Sequence, residues 1–271
     1  MKTTESVGQR SPQIGIEPTE ALQAEICGVT AVDKALSLLT QFGNAETVGV
    51  SELARRAGLS KSTAFRLLTI LHRNGFIERR GSGYRLGSGI YDLGNRVYEW
   101  QPGQLRDAAM PYIADLYAWC HETIQLAVLD DVSVLCLEKL YGHHRVPSPS
   151  RVGTRIPAYR TALGKVLLSQ DFAAVDRTIA GGPRPGSAAT VPDDQRLRAE
   201  LARVRRAGVA YDNEELVAGL VCVAVPIVDR RGRAVCSLSV SGAKGNFDPE
   251  RYTHRLRATA FDVSNAVRRA L

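Results

Sequence analysis

The stretch Val48 to Phe76, VGVSELARRAGLSKSTAFRLLTILHRNGF, decides the fold of the amino-terminal part of this chain. Ser51 is placed to cap a short helix whose inner face is Leu53, Ala54 and Ala57, and Gly58 follows where a left-handed residue ends it. Leu59 packs the turn, and Ser60 starts a second helix as its N-cap. Ala64, Leu67, Leu68 and Leu71 then recur on one inward face until Asn74-Gly75 stops the run. Two helices joined by a short glycine-containing turn make a helix-turn-helix.

The outer face of the second helix carries the chemistry. Ser60, Lys61, Ser62, Thr63 and Arg66 gather hydrogen-bonding groups and positive charge in its first turns, where a recognition helix meets base edges and phosphates. Directly after it, Phe76 to Arg80 and Tyr84 to Leu86 read as two short strands around Gly81-Ser82-Gly83, a hairpin bearing Arg79, Arg80 and Arg85. A basic hairpin behind a recognition helix is a wing suited to the sugar-phosphate backbone or the minor groove. Upstream, Val32, Ala35, Leu36 and Leu39 fall at i, i+3, i+4 and i+7, which predicts a first helix with these four as its buried stripe, ending near Gly43-Asn44.

The net charge of +7 is spread unevenly over the 271 residues. Between Val29 and Leu86 nine basic residues stand against four acidic ones, so most of the excess sits in under a quarter of the chain. That is the footprint of a face that meets a polyanion such as double-stranded DNA. Residues 1–28 hold prolines, glycines, threonines and serines without period and read as a flexible tail. No apolar run approaches the roughly 20 residues that cross a bilayer, which predicts a cytoplasmic protein with no membrane partner. Five cysteines with no Cys-x-x-Cys pair predict reduced thiols rather than a disulfide framework.

Beyond the wing, residues 88–103 read as a linker helix, with Ile90, Leu93, Val97 and Trp100 at helical spacing and an end at Pro102-Gly103. A further helix from Leu105 to Cys120 has Leu105, Ala109, Tyr112, Ile113, Leu116 and Trp119 on its apolar side, with Pro111 kinking it or marking a fresh start. Such a stripe suits either an intramolecular core or a dimer contact. Two hairpins follow, Thr123 to Leu129 with Val132 to Leu140, and Val221 to Val228 with Ala234 to Val240. Helices are expected from Thr161, from Ala173, after Asp193 or Asp194, and from Pro249 to the end. This order describes an α+β domain around a central antiparallel sheet. Strand alternation sets Ser237, Ser239 and Ser241 on one face, a row of hydroxyls suited to a small polar ligand.

The run SELARRAGLSKSTAFRLLTILHRNGFIERR with the later GYRLG resembles the winged helix-turn-helix of the IclR family of bacterial transcriptional regulators. Lys61, Ser62 and Thr63 match the group that opens that family's recognition helix, and Arg66 matches its arginine. The resemblance continues through about residues 29–270 and implies a GAF-like effector-binding domain after the linker. It divides the chain into the tail 1–28, a DNA-binding domain 29–87, the linker 88–103, and an effector-binding and oligomerisation domain 104–271. It implies a homodimer or homotetramer that binds an operator under control of a small-molecule effector, an organic acid by the anion-favouring start of the helix at Thr161. By similarity, Ala162, Leu163, Asp212, Leu220, Cys222, Ser239 and Ser241 are pocket candidates.

Tyr159 and Arg160 stand where the family commonly has a His-Ala pair, and Arg160 is a further candidate, as partner of a ligand carboxylate. The competing readings are a small-molecule-binding enzyme and an architectural nucleic-acid binder. Against an enzyme, no Gly-x-Ser-x-Gly, phosphate-cradling glycine loop or His-Glu-x-x-His occurs, and no catalytic residue is assigned. Cys120-His121, Cys136 and His143-His144 match no standard zinc spacing, so neither cofactor nor metal is expected. Against a purely architectural role, a second domain of this size with a polar strand face would have no purpose.

Overall fold

The computed structural model describes residues 30–43, 47–98, 101–144, 146–182 and 193–270, in two compact units divided between Arg96 and Val97. The predicted tail 1–28 lies outside the described residues. The first unit runs α1 (Ala31–Thr40), β1 (Val48–Gly49), α2 (Val50–Arg56), α3 (Lys61–Arg73), β2 (Ile77–Arg80) and β3 (Gly83–Leu86). Thr30 and Asp33 cap α1 reciprocally, each side chain taking the other's backbone N–H. Leu38, Phe42, Leu53, Leu67, Leu68 and Ile77 close one core beneath the three helices.

Two local expectations need correction. In α1, Val32 and Leu36 are 67% and 56% exposed, while Leu38 is fully buried and Ala35 and Leu39 are half-buried. The core-facing stripe therefore lies over Leu38 and continues into Phe42 beyond the helix. In α2, Ser51 does not cap: the helix starts at Val50 with Gly49 as N-cap and no side-chain bond. The cause is β1, too short to be read from sequence, whose Val48 and Gly49 pair with Tyr84 and Gly83 of β3 and fix the chain just ahead of the helix. The wing closes where Arg80 faces Gly83 across a two-residue turn, with Gly81 at φ +57°.

α4 (Ser88–Tyr98) crosses between the units. Its start is fastened to the end of α3 by a bond from the Gly89 N–H to the Gly75 carbonyl at 3.0 Å. Leu93 is exposed, and Trp100 and the side chain of Val97 lie outside the described residues. Pro102-Gly103 does not end a helix as expected but lies in the first turn of α5 (Gln101–Cys120), where a missing N–H leaves no bond unmade. α5 passes Pro111 unbroken with that proline on its exposed side, and Trp119, expected inward, is 47% exposed.

The second unit continues with β4 (Thr123–Asp130), β5 (Ser133–Leu140), β6 (Arg155–Pro157), a 3₁₀ turn (Ala158–Arg160), α6 (Ala162–Leu168), α7 (Phe172–Ala180), α8 (Asp194–Ala207), β7 (Ala210–Asn213), β8 (Leu220–Val228), β9 (Ala234–Ala243) and α9 (Pro249–Ala270). Its six strands form one antiparallel sheet in the order β6-β5-β4-β9-β8-β7. One face buries Ile124, Leu126, Val223, Leu238 and Val240 against α5 and α9. The other packs Ala127, Val134, Cys222 and Ala224 with α6, α7 and α8. α6 approaches the 3₁₀ turn so closely that a Cβ on Gly164 would stand 2.1 Å from the Ala158 carbonyl oxygen, so only glycine fits there. No helix among the described residues is long and apolar enough to cross a membrane.

Candidate functional site

On α3, Ser60 is the N-cap: its Oγ accepts the Thr63 N–H at 3.2 Å and donates to Thr63 Oγ1 at 2.9 Å. Thr63 is thereby half-buried and tied to the cap, whereas Lys61, Ser62 and Arg66 are exposed. With Ala64, Leu67, Leu68 and Leu71 inward, the opposite face presents Ser62, Phe65, Arg66, Thr69 and Arg73. Phe65 is 54% exposed, a large apolar group beside Arg66 where thymine methyls and base edges are read. Sequence reading passed over Phe65, Thr69 and Arg73; carrying the 3.6-residue period along the outer face, and not only the inner one, finds them.

Wing electrostatics divide the three arginines. Arg85 holds Glu78 through two bonds, from Nη2 at 2.6 Å and Nε at 2.9 Å, and its guanidinium keeps the Glu78 carboxyl below the usual range. Arg55 and Arg56 are likewise taken up by Glu52, whose carboxyl their bonds pull down to about 2. Among the described residues Lys61, Arg66, Arg73, Arg79 and Arg80 have no ion-pair partner. The uncompensated charge thus follows α3 and β2, while Arg85 braces the hairpin.

The second site lies on the α6 side of the sheet. Antiparallel pairing sets Gln125 opposite Lys139 on one side and Ser239 on the other, so Lys139, Gln125 and Ser239 share one row. The next row runs Thr123, Ser241, Cys222 and Asp212 across β4, β9, β8 and β7. A cavity of about 30 Å³ is lined by Gln125, Cys222 and Ser239 from the sheet and by Thr161, Ala162 and Leu163 at the start of α6. A larger one of about 230 Å³ is lined by Thr123, Gln125, Lys139, Leu220 and Ser241 from the sheet, with Ser148 and Arg151 from the loop after β5. Gln125 borders both.

Of the candidate residues, Ala162, Leu163, Cys222 and Ser239 meet at the first cavity and Leu220 and Ser241 at the second. Arg160 and Asp212 are not among the residues that line either. Arg160 is half-buried, and its Nε is buried without a hydrogen-bond partner among the described residues. Thr161 caps α6 by accepting the Gly164 N–H at 2.9 Å. Within the serine row, Ser237 and Ser241 reach backbone carbonyls at 3.5 and 3.4 Å, whereas the Ser239 hydroxyl is buried without a partner among the described residues. Burial holds the Cys222 thiol well above its ordinary value, so it is an inert, protonated lining group.

Asp212 is 1% exposed and accepts the Glu215 N–H at 2.8 Å. Burial is the main cause that pushes its carboxyl up to about 7. An unfolded aspartate ionises near 3.8. The stabilising preference for the protonated form is therefore complete below that pH and lost as pH rises through about 7. Asp212→Asn removes this dependence, so its stability margin over the parent chain is expected to grow by about 2.5 kcal/mol between pH 5 and pH 8 in urea denaturation. A margin equal at both pH values refutes a neutral buried carboxyl.

Sequence reading missed Lys139 and the ion cluster at Lys165. The Lys165 side chain is fully buried, and its Nζ meets Glu200 at 2.6 Å, Glu215 at 2.5 Å and the Tyr211 carbonyl at 2.8 Å, joining α6 to α8 and β7. Burial opposes its charge, but the two carboxylates outweigh that and raise its pKa. For the metal reading, the His121 and His143 rings stack at 4.8 Å, and no cluster of three or more ligating side chains occurs among the described residues.

An exposed, capped recognition helix with a basic wing, followed by a sheet domain with a small, mostly apolar cavity and a larger mixed one on the α6 side, fits a ligand-responsive DNA-binding regulator. Residues 31–81 match the family described as "IclR helix-turn-helix domain", and residues 101–265 match "Bacterial transcriptional regulator IclR C-terminal". The transcriptional regulator KdgR of Escherichia coli is 32% identical over 243 residues, 87% of this chain and 92% of its own. The glycerol operon regulatory protein of Streptomyces coelicolor is 29% identical over 252 residues, 90% and 96% of the two chains. A solved IclR homologue from Microbacterium hydrocarbonoxydans, in complex with 4-hydroxybenzoate, superposes with a TM-score of 0.81 at 28% identity, covering 88% of this chain and 99% of the other. The chain belongs to the IclR family of bacterial transcriptional regulators, with a DNA-binding amino-terminal and an effector-binding carboxyl-terminal domain.

Proposed function

We propose that this regulator acts in the cytoplasm without catalysis, as a homodimer or homotetramer on a near-palindromic operator, and that a small organic acid bound in the second domain switches it. The working boundaries are 29–87 for the DNA-binding domain, 88–103 for the linker and 104–271 for effector binding and self-association. Two copies would set their α3 helices in successive major grooves, and a ligand that favours one arrangement over the other changes operator affinity by that difference alone. Ser60, Lys61, Ser62, Thr63, Arg66, Arg79 and Arg80 are the proposed DNA contacts. Arg85 is reassigned from contact to brace, on its bonds to Glu78.

The observation that carries the effector half is the Ser239 hydroxyl, buried at the first cavity without a partner among the described residues, since a native fold leaves such a group unpaired mainly where a ligand or water completes it. That the Microbacterium relative holds 4-hydroxybenzoate supports the acid class. The proposed pocket comprises Ala162, Leu163, Leu220, Cys222, Ser239 and Ser241, with Asp212 paired across strands to Cys222 and Arg160 next to Thr161 in the chain as its further members. Ser239→Ala is expected to keep full operator affinity in a gel-shift titration and to lose most of the ligand's effect on it. A variant that responds to ligand like the parent sinks the assignment.

A further inference from the structure

Lys139 lies next to the carboxyl end of β5, in the row with Gln125 and Ser239, and is 8% exposed. Its Nζ donates to the Ser150 carbonyl at 2.8 Å and to Ser150 Oγ at 2.9 Å, and stands 5.0 Å from the Tyr141 ring centroid. An ammonium has three N–H donors, so these two bonds leave one without an acceptor among the described residues. No carboxylate among the described residues pairs with it, in contrast to Lys165, which meets two. A buried charge is normally paired, and an unpaired one is strongly disfavoured by lost hydration. Burial indeed draws the pKa of Lys139 below the ordinary lysine value, and the neighbouring Arg151 lowers it further.

This cation borders the cavity of about 230 Å³. The exposed Arg151 and His144 stand on the same lining, so positive and hydrogen-bond-donating groups gather where a ligand enters. Gln125, beside Lys139, borders both cavities, and beyond it Ser239 offers its unpartnered hydroxyl. Two strand spacings, about 10 Å, separate the cation from that hydroxyl along the row.

We propose that Lys139, with Arg151 at the entrance, is the anchor for the effector's carboxylate, and that the ligand is a small hydroxy-acid whose polar far end lies along Gln125 toward Ser239. This rests on the acid-effector reading above but moves the anion from the start of α6 to β5. The α6 start supplies fixed dipoles alone, and Thr161 already satisfies one of its N–H groups. Lys139 supplies a full charge whose burial penalty an anion relieves, which makes the pocket selective for acids over their neutral amides.

The test is isothermal titration of the full chain and of Lys139→Met with acetate, lactate and 4-hydroxybenzoate, each beside its neutral amide. Methionine keeps the stem's volume without the charge, and the melting curve of the variant without ligand reports whether it is folded. The expected result is that at least one acid binds the parent chain, that Lys139→Met weakens it about tenfold or more, and that the amides bind both chains alike. Arg151→Gln is expected to slow acid association more than it weakens binding, and to flatten its dependence on salt. Equal acid affinity in parent and Lys139→Met overturns the anchor but leaves the acid-effector reading standing. A parent chain that binds none of the acids, or binds the amides better, overturns both.

Discussion

Lys165→Met is expected to lower the unfolding free energy of the second unit by about 3–5 kcal/mol, the effect of deleting one partner from a buried ion pair. Lys165 sits between Glu215 and Glu200 with a carbonyl as third acceptor, so its removal strands two carboxylates, one of them nearly buried. The apolar methionine fills the stem's space, which separates the electrostatic effect from a cavity. Adding Glu215→Gln to Lys165→Met is expected to restore part of the stability, because the stranded charge goes with it. By contrast Lys139→Met, which strands no carboxylate, is expected to leave stability unchanged or raise it. Urea titrations of the three variants read this directly. A Lys165→Met effect under about 1 kcal/mol, or no recovery in the double variant, refutes the cluster as the clasp of α6.

The contrast between these two lysines shows how a site is divided between stability and function. Lys165 is satisfied on every donor within the chain, so it has nothing left to offer a ligand. Lys139 is held by one serine and opens onto space. A buried group that the fold does not complete is where binding selectivity is most economically placed, since an ill-matched ligand leaves it unpaired.

Legibility in the sequence followed how local the deciding interaction is. Caps and helix stops were readable where the deciding bond is local, as at Ser60 and Asp193, which each bond a backbone N–H within three residues, and at Gly58 and Gly75, which take positive φ; Ser51 misled, because β1 moves the start of α2 to Val50. The serine row was readable from alternation alone. β1, β6 and β7 were not, since two to four residues carry no period and exist only through their partners in the sheet. Lys139 was hidden for a related reason. A lysine in a strand reads as a solvent-facing residue, and only the register that places it beside Gln125, under the loop carrying Ser150, turns it inward. The buried stripe of α1 was misread because Phe42, which fixes the face, lies past the helix end.

Arg66→Ala is expected to weaken operator binding by about 1–3 kcal/mol, roughly five- to 150-fold, and to relax preference at the base pairs it faces. The expectation follows from its place one turn inside the capped start of α3, exposed, unpaired among the described residues and flanked by the exposed Phe65. The wing arginines are expected to act differently, because β2 presents Arg79 and Arg80 exposed at the tip of a hairpin suited to the sugar-phosphate backbone. Replacing both with alanine is expected to weaken operator and random DNA alike and to reduce the slope of log affinity against log salt by about two, one for each phosphate no longer neutralised. Arg85→Ala should reach DNA only through the hairpin's stability, since its charge is spent on Glu78. Combining Arg66→Ala with the wing pair is then expected to be near-additive, as side chains that reach different grooves do not share partners. Fluorescence-anisotropy titrations at two salt concentrations, on operator and scrambled duplexes, separate the terms. An Arg66→Ala chain that binds operator at parental affinity, or weakens on operator and scrambled duplex equally, removes α3 from the role of base reader.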